Sequence, residues 1–373
     1  MIPPTLKIVI AGPQGSNGGL EVHTSELELF LVSLGYCVLR INVCNENKTS
    51  SPPQNEKIFI SNPPGFRGKF VKAVDWLYAF VVIRKFSPDV LISTAIGSGY
   101  KWLARFTGSR SFRIVQVVTD DYSVNDPAML SLIQAYDAVA AQTPILKEQV
   151  SVKINPTVPC QVLPCFHQIN TNNCSSIIPQ SLLGSIRLAY FGRLVANKGI
   201  PLLLDAWRRS HFPPQFSLDI WGSGNIKHEL EQTIANSPLL YDSVCLKGPY
   251  PSGLKYINIL SDYHGLVLPS QSTEGLPLVL LEAASVGLPI LTTSVGGIPD
   301  FARGNPDVVM VDRGLDPLCI GLNKFVGYIQ EGSKFNRLRH QSFFLQQYSR
   351  DAIESVWLRM LESPSQFFKD ICS

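Results

Sequence analysis

Several signatures by which common enzyme classes bind metals and nucleotides are missing from this chain. Its 373 residues contain no Asp-x-Asp, a carboxylate pair that often holds Mg²⁺ beside a diphosphate. No Gly-Lys-Ser/Thr occurs either, which excludes a P-loop. The 8 cysteines are scattered and form neither a Cys-x-x-Cys pair nor a zinc-like spacing. These absences predict reduced thiols, no bound metal and no resident cofactor.

Long apolar runs and a large net charge are also missing. The longest apolar run, Trp76 to Ile83, has about eight residues against the roughly 20 that span a bilayer. The first residues lack the pattern of a secretory leader, so we expect a cytoplasmic protein. The sequons at Asn47 and Asn173 are then expected to be chance matches. The formal net charge of +3 argues against a general nucleic-acid-binding protein.

The length and the order of the elements predict two α/β domains. A chain of 373 residues with 45% hydrophobic composition is long enough for two domains of ordinary size. Apolar strand candidates alternate with helical patterns, which is typical of doubly wound parallel sheets. The predicted organisation is an N-terminal domain (1–169), a polar linker (170–184), a second domain (185–349) and a C-terminal helical segment (350–373) that crosses back to the first domain.

A glycine-rich loop follows the first strand candidate, Lys7 to Ala11. The loop, Gly12 to Gly19, does not have the Gly-x-Gly-x-x-Gly spacing of a dinucleotide site, so a dehydrogenase is not expected. Gly18 and Gly19 are compatible with either a close backbone approach to a ligand or a tight strand-to-helix turn. His23, one turn into the following helix, is not assigned to the site.

Two cations lie in a loop after an apolar strand candidate of the second domain. The strand Ile186 to Phe191 runs into Gly192 and Arg193, and Lys198 follows before a helical pattern begins. Open α/β sheets bind ligands at the carboxyl ends of their strands. A planar Arg fork and a Lys point charge suit a diphosphate, although either cation alone is more often an ordinary surface residue. Because both lie in a loop, their replacement is expected to leave the fold intact.

Two carboxylates, Glu274 and Glu282, bracket a second loop-to-helix segment. A strand candidate precedes them, and Pro277 suits the first turn of the helix between them. The backbone amides near the helix start would face an anion, helped by the helix dipole. Most glutamate pairs at this spacing are solvated, but the flanking strands and glycines favour a ligand site. The segment that we expect to hold the ligand comprises Gly275, Leu276, Pro277 and Leu278, with a carboxylate at each end.

These segments together resemble glycosyltransferase family 4, the retaining nucleotide-sugar transferases of the GT-B fold. The motifs occur in the family's order over about 120 residues, and the N-terminal half matches more loosely. The resemblance is carried by Tyr190 to Leu194, Lys198-Gly199, Leu218 to Gly224, Val244 to Gly248, Glu274 to Glu282 and Thr293 to Asp300.

The resemblance implies two Rossmann-like doubly wound domains that face a central cleft, with the donor bound by the second domain. It implies that Arg193 and Lys198 hold the diphosphate, that Glu282 holds the ribose and that Glu274 contacts the donor sugar. It further implies sugar transfer to an acceptor hydroxyl with retained configuration, in glycolipid or surface-polysaccharide synthesis. The donor-binding residues would then be Gly18, Gly19, Gly192, Arg193, Lys198, Gly275, Leu276, Pro277, Leu278 and Glu282.

The chain departs from the family pattern at one place. Many members have a histidine after the strand that ends here near Val118, whereas this chain has Asp120 and Asp121. Ionised Asp120 could accept a hydrogen bond from a sugar hydroxyl but could not donate one. Two alternatives therefore stay open: a sugar-nucleotide epimerase of the GT-B fold, and a non-catalytic nucleotide-sugar-binding protein.

Charge is uneven in residues 65–113, where nine cations face two acids, Asp75 and Asp89. Aromatic residues are interleaved with the cations. Such a surface predicts docking on anionic lipid headgroups, whereas the alternative is a solvated basic face over an apolar core. A lipid-linked or glycan acceptor is compatible with either arrangement. The nine cations are Arg67, Lys69, Lys72, Arg84, Lys85, Lys101, Arg105, Arg110 and Arg113.

Overall fold

Strands and helices alternate along the chain and form two units. The computed structural model describes residues 6–13, 18–44, 57–61, 65–118, 127–153, 158–167, 169, 185–272, 274–332 and 334–369. Unit 1 comprises Met1–Gln168 and Ile353–Ser373, and unit 2 comprises Ile169–Ala352. The predicted linker, 170–184, lies outside the described residues.

Unit 1 contains a 7-stranded parallel sheet with the order β3-β2-β1-β4-β5-β6-β7. The strands are β1 (Lys7–Pro13), β2 (Cys37–Cys44), β3 (Lys57–Ser61), β4 (Val90–Ser93), β5 (Phe112–Val117), β6 (Ala138–Ala141) and β7 (Cys160–Val162). The helices of this unit are α1 (Gly19–Ser33), α2 (Gly65–Phe86), α3 (Ser98–Phe106), α4 (Pro127–Ile133) and α5 (Pro144–Lys153), followed much later in the chain by α14 (Arg350–Glu362) and α15 (Pro364–Lys369).

Helices cover both faces of this sheet, so its strands are apolar on both sides, as parallel strands usually are. Val9 belongs to the core beneath α2 and α3. Its neighbours Ile8 and Ile10 belong to a second core, which also contains Trp357 of α14. The Trp357 indole N–H donates to the Pro164 carbonyl oxygen at 2.8 Å. The C-terminal helices therefore pack on the sheet of unit 1.

Unit 2 contains a 6-stranded parallel sheet with the order β10-β9-β8-β11-β12-β13. The strands are β8 (Ile186–Phe191), β9 (Phe216–Trp221), β10 (Val244–Gly248), β11 (Gly265–Leu268), β12 (Ile290–Thr293) and β13 (Val308–Val311). The helices are α6 (Ile200–Ser210), α7 (Lys227–Ala235), α8 (Pro238–Ser243), α9 (Leu254–Ser261), α10 (Leu278–Ser285), α11 (Ile298–Ala302), α12 (Leu315–Glu331) and α13 (Arg337–Tyr348).

Both sheets have the same pattern of connections. In each unit the third, second and first strands lie in sequence on one side, and the chain then crosses to the other side of the first strand. In each unit, two neighbouring strands are therefore followed by segments that run in opposite directions. These strands are β1 and β4 in unit 1, and β8 and β11 in unit 2. Ligands bind in the crevice that such a reversal opens at the carboxyl ends of the strands.

Candidate functional site

The loops that carry the predicted cations and carboxylates leave adjacent strand ends in unit 2. The first loop follows β8 and contains a short 3₁₀ turn, Ala196–Lys198. The second follows β11 and leads to α10. The two strands pair in parallel, so both loops emerge at the carboxyl edge of the sheet, where the strand order reverses. The Gln271 N–H donates to the Asn197 carbonyl oxygen at 2.8 Å and joins the two loops directly.

An ion pair lies where these two loops meet. Lys198 Nζ contacts Glu274 Oε1, and the side chains are only 14% and 8% exposed. The Ser270 hydroxyl donates to the same carboxylate oxygen at 2.5 Å. The two residues were predicted to serve one site from motifs 76 positions apart, and the structure brings them into direct contact. Their separate roles toward a ligand stay a prediction.

The backbone of Glu274 is held by the loop that follows β12. Gly296 has a φ of +53°, and a Cβ at this position would lie 1.7 Å from the Glu274 carbonyl oxygen. The next residue, Gly297, donates its N–H to the Gly275 carbonyl oxygen at 3.1 Å. Only glycine combines this φ with so close an approach. Gly296 therefore allows the loop after β12 to pack directly against the backbone of Glu274.

Arg193 differs from Lys198 in its surroundings. Its side chain is exposed and has no ion-pair partner among the described residues. Its carbonyl oxygen accepts a hydrogen bond from the buried Tyr190 hydroxyl at 2.9 Å. The carbonyl oxygen of Gly192 lies so close to Gly222 that a Cβ there would be 1.8 Å away. The loop backbone is thus anchored, while the guanidinium is free to reach a ligand.

The predicted loop-to-helix segment is present, with its start shifted by one residue. Helix α10 begins at Leu278, and Pro277 is the N-cap with a ψ of 127°, rather than part of the first turn. Pro277 has an extended rather than a helical ψ, so Leu278 is the first residue with helical geometry. Gly275 and Leu276 are buried before it. The first N–H groups of the helix have no hydrogen-bond partner within the helix, as at every helix start.

Glu282 lies in the second turn of α10 and is half-buried. The Tyr256 hydroxyl of α9 donates to its Oε2 at 2.8 Å. Burial raises the pKa of Glu282 to about 7, and the hydrogen bond from Tyr256 opposes this rise. The carboxyl group therefore holds its proton to a higher pH than an exposed glutamate does.

Aromatic rings surround Tyr256 and complete this end of the site. Tyr256 packs against Phe191 at the end of β8, with ring centroids 5.2 Å apart, and against Tyr250, with centroids 4.9 Å apart. Burial raises the pKa of Tyr256 well above its usual value, so the hydroxyl stays a donor. Sequence reasoning missed Tyr256, Tyr250 and Ser270. The signal that could have found them is position, because each of the three follows a strand or lies near the carboxyl end of one.

An open depression of about 570 Å³ includes Gln271 of the loop that follows β11. It is bounded at the carboxyl ends of β11, β12 and β13, and within it the Gly314 N–H donates to Gln271 Oε1 at 3.2 Å. No group of side chains suited to a metal ion occurs in the part of the chain that the structure describes. The lining residues are Gln271, Ser294, Asp312, Arg313 and Gly314.

The remaining predicted residues belong to unit 1. Gly18 is the N-cap of α1 with a φ of −128°, which any residue can adopt, and Gly19 is the first residue of the helix. Asp120 lies outside the described residues. His23 is buried, with Nε2 bonded to Gln116 Oε1 at 2.7 Å and Nδ1 accepting from the Phe166 N–H at 2.9 Å. Burial lowers the pKa of His23 to about 4, so it is a neutral residue of the core.

Comparisons with known proteins found a matching family model and proteins of similar sequence. Residues 185–317 match the family model described as "Glycosyl transferases group 1". One subunit of the human phosphatidylinositol N-acetylglucosaminyltransferase is 31% identical over 150 residues, which are 40% of this chain and 30% of that protein. The amylovoran biosynthesis glycosyltransferase AmsK of Erwinia amylovora is 30% identical over 126 residues, 32% of this chain and 30% of that protein. The match thus spans about a third of these relatives.

Solved structures match along nearly the whole chain. Anabaena HepE in complex with UDP has a TM-score of 0.72 at 16% identity and covers 96% of this chain and 100% of that one. The lipopolysaccharide outer core galactosyltransferase WaaB has a TM-score of 0.74 at 16% identity, covering 96% and 99%. The likeness shows a shared fold. The predicted GT-B fold, with two Rossmann-like domains, is confirmed.

We expect Gly296→Ala to destabilise the protein more than Gly304→Ala. Both glycines have positive φ, +53° and +71°, so alanine is strained by roughly 1 kcal/mol at either position. A Cβ at Gly304 meets nothing within 4 Å, whereas one at Gly296 collides with the Glu274 carbonyl oxygen. Thermal denaturation should show a lower Tm for the Gly296 variant than for its control, by about 2–4 °C for each kcal/mol that the collision costs in a unit of this size. Equal Tm values would contradict the close approach.

The raised pKa of Glu282 makes stability depend on pH. Its folded pKa of about 7 exceeds the reference value of 4.5, so the stabilising proton is lost as pH rises. The Tm of the wild type should therefore fall relative to Glu282→Gln between about pH 5 and pH 8. Tyr256→Phe removes the opposing hydrogen bond and should extend the fall to higher pH. Exposed Glu362→Gln is the control for loss of a charge, and a Tm difference independent of pH would refute the assignment.

Proposed function

We propose that this chain is a retaining glycosyltransferase that moves a sugar from a nucleoside-diphosphate sugar to an acceptor hydroxyl without a metal ion. The observation that carries the proposal is the contact between Lys198 and Glu274 at the switch point of the second sheet. A cation for the diphosphate and a carboxylate for the sugar are thereby placed side by side, where open α/β sheets bind nucleotides.

The geometry suggests a role for each charged group. Arg193 and Lys198, with the first N–H groups of α10, would neutralise the leaving diphosphate, the task that Mg²⁺ performs in other transferases. Glu274 would accept a hydrogen bond from a donor-sugar hydroxyl, and Glu282 from the ribose. The bond from the sugar C1 to the diphosphate oxygen breaks, and a bond from C1 to the acceptor oxygen forms on the same face. The acceptor proton passes to the leaving diphosphate.

The comparisons support a nucleotide-sugar donor and a glycan or lipid-linked acceptor. The matching structures include HepE with UDP and with glucose, and the pneumococcal O-GlcNAc transferase GtfA with UDP and GlcNAc. The relatives are named for phosphatidylinositol, amylovoran and colanic acid. We therefore propose a part in glycolipid or surface-polysaccharide synthesis, with unit 2 binding the donor and unit 1 the acceptor. Whether Asp120 contacts the donor sugar stays a prediction.

A panel of nucleotide sugars tests the proposal. The transferase should release nucleoside diphosphate slowly from one donor, because water replaces the missing acceptor. Interconversion of two nucleotide sugars would instead identify an epimerase, and binding without any turnover would identify a non-catalytic protein. Added EDTA should leave the release unchanged, since the charge stabilisation comes from side chains.

Arg193→Gln should lower kcat/KM by about two orders of magnitude, the effect of removing one preorganised donor from a developing anion. The side chain is exposed, so the Tm should not change. Arg359→Gln, also exposed, is the control and should retain the wild-type rate. A turnover of the Arg193 variant equal to that of its control would remove Arg193 from the site.

Replacing Lys198 alone does not test its role in activity, because the replacement is also expected to change stability. The loop position predicted that its loss leaves the fold intact, whereas its contact with the buried Glu274 carboxylate predicts lost stability, because an unpaired buried charge costs about 3–5 kcal/mol. Lys198→Met should therefore lower the Tm, and adding Glu274→Gln should restore it, since the pair is then neutral. The kcat/KM of the double variant is compared with that of Glu274→Gln alone, and equal values would remove Lys198 from the site.

Calorimetry with a bare nucleoside diphosphate should separate the two glutamates. Glu282→Gln should weaken binding of the diphosphate and raise KM more than it lowers kcat, since a ribose contact is present in the ground and transition states alike. Glu274→Gln should leave this binding within about threefold of wild type and lower kcat, because its partner belongs to the transferred sugar. Equal losses of diphosphate affinity in both variants would overturn the assignment of roles.

A further inference from the structure

Helix α2 presents an apolar face to the outside of unit 1. Its inner face contributes Trp76, Ala79 and Ile83 to the core, with exposed fractions of 9%, 0% and 0%. A second apolar stripe lies on the opposite side of the helix, with successive members three or four positions apart and one adjacent pair. We call it the α2 outer face: Val71 (42% exposed), Val74 (49%), Leu77 (62%), Tyr78 (61%) and Val81 (62%).

The apolar surface continues from α2 onto α3. Phe80, one turn beyond Leu77, stacks on Phe106 of α3 with ring centroids 4.9 Å apart. Phe106 is 40% exposed, and Trp102 on the same helix is 47% exposed. The Arg105 guanidinium lies 5.1 Å from the centre of the Trp102 ring. An indole with a cation above it suits the boundary between water and lipid.

Cations border this surface. Arg84 and Lys85 are exposed at the C-terminal end of α2, and Arg105 and Arg110 are exposed on α3 and after it. Asp75 is the single acidic residue in the sequence of α2, and it is half-buried. The surface is thus apolar in the middle and positively charged at its edges.

Only some of the nine cations in residues 65–113 are available to a partner. Arg113 pairs with Asp137 at 2.6 Å, and Lys101 donates to the Ser131 hydroxyl at 2.6 Å, so both are engaged within the unit. Lys72 is half-buried. The side chains of Arg67 and Lys69 lie outside the described part of the chain. The exposed cations that remain for a partner are Arg84, Lys85, Arg105 and Arg110.

We propose that the α2 outer face docks flat on an anionic lipid bilayer, with Arg84, Lys85 and Arg105 at the headgroups. Apolar side chains gain from entering the acyl boundary, and cations gain from the surface charge of anionic lipids. A protein partner would need a matching apolar groove, whereas a bilayer accepts any convex apolar face rimmed by cations. No helix among the described residues is long and apolar enough to cross a membrane, so α2 would lie on the surface. The proposal does not depend on the activity of unit 2.

Sedimentation with vesicles tests the docking without any donor or acceptor. The full chain should bind vesicles of phosphatidylcholine that contain phosphatidylglycerol and should not bind vesicles of phosphatidylcholine alone. Binding should weaken as NaCl is added, because salt screens the attraction of exposed charges. Absence of binding to the anionic vesicles, or equal binding to both kinds, overturns the proposal.

Two variants separate the apolar and the charged contributions. The triple variant Val74→Gln, Leu77→Gln and Val81→Gln keeps good helix formers and should lower the vesicle partition coefficient at least about tenfold. Arg84→Glu with Lys85→Glu should lower it by about 25-fold or more, since each cation near the surface contributes about fivefold and the new carboxylates are repelled by anionic lipid. The controls are Leu239→Gln with Ile320→Gln and Leu338→Gln, and Arg359→Glu with Lys369→Glu, which change exposed residues elsewhere and should bind as wild type.

Three further results would contradict the docking. Loss of vesicle binding in the controls equal to that in the variants would show general adhesion of the protein to lipid. Unchanged binding of the Gln triple variant, with its helical circular dichroism intact, would show that the outer face does not enter the bilayer. Light scattering that shows a dimer of the wild type and a monomer of the triple variant would identify a second copy of the chain as the occupant.

Discussion

The reversal of strand order between β8 and β11 is the constraint on which the site depends. Parallel strands need crossover connections, and a sheet that grows first to one side and then to the other leaves two adjacent strands whose following segments diverge. The crevice between those segments is the place where Lys198 and Glu274 can touch, although 76 positions separate them. Without the reversal, the two loops would be separated by a strand or covered by a helix.

The ion pair in this crevice is a costly feature for the protein to keep. Removing two charges from water costs several kcal/mol per ion, and their attraction offsets this only where the geometry is good. Here the Ser270 hydroxyl adds a second contact to the Glu274 carboxylate, and Gly296 allows the backbone behind it to come close. A pair so supported is rigid before any ligand arrives, which lowers the entropic cost of binding. Glu282 is supported differently, by one tyrosine hydroxyl, and its burial keeps it near the midpoint of its titration.

Unit 1 repeats the same sheet topology but uses its helices differently. Helix α14 covers one face of the sheet, and Trp357 reaches the Pro164 carbonyl oxygen through that core. On the other face α2 buries one side and leaves an apolar side exposed. A helix with apolar stripes on two opposite sides exposes apolar surface to water, which is unfavourable unless a partner covers the outer stripe. Thus the two units share a fold, and different surfaces of that fold carry the two proposed activities.

The sequence by itself determined the elements and the chemical types at the site. Apolar runs of strand length, glycines at turns and a Pro before a helix are local signals, and they located β1, β8, β11 and the α10 segment within one or two residues. The five-residue strand β3, which lies at the edge of its sheet, was not predicted. The cations and carboxylates could be grouped only through a family resemblance.

Tertiary structure alone decided which of these groups meet and in which environment. Three features of the site arise from segments distant in sequence: the contact between Lys198 and Glu274, the hydrogen bond from Tyr256 to Glu282, and the need for glycine at 296. The outward direction of Leu77 and Tyr78 could not be read from α2, because both of its faces are apolar and periodicity then gives no preference. Local pattern specifies what a segment becomes, whereas burial, pKa and partnership depend on what the fold packs against it.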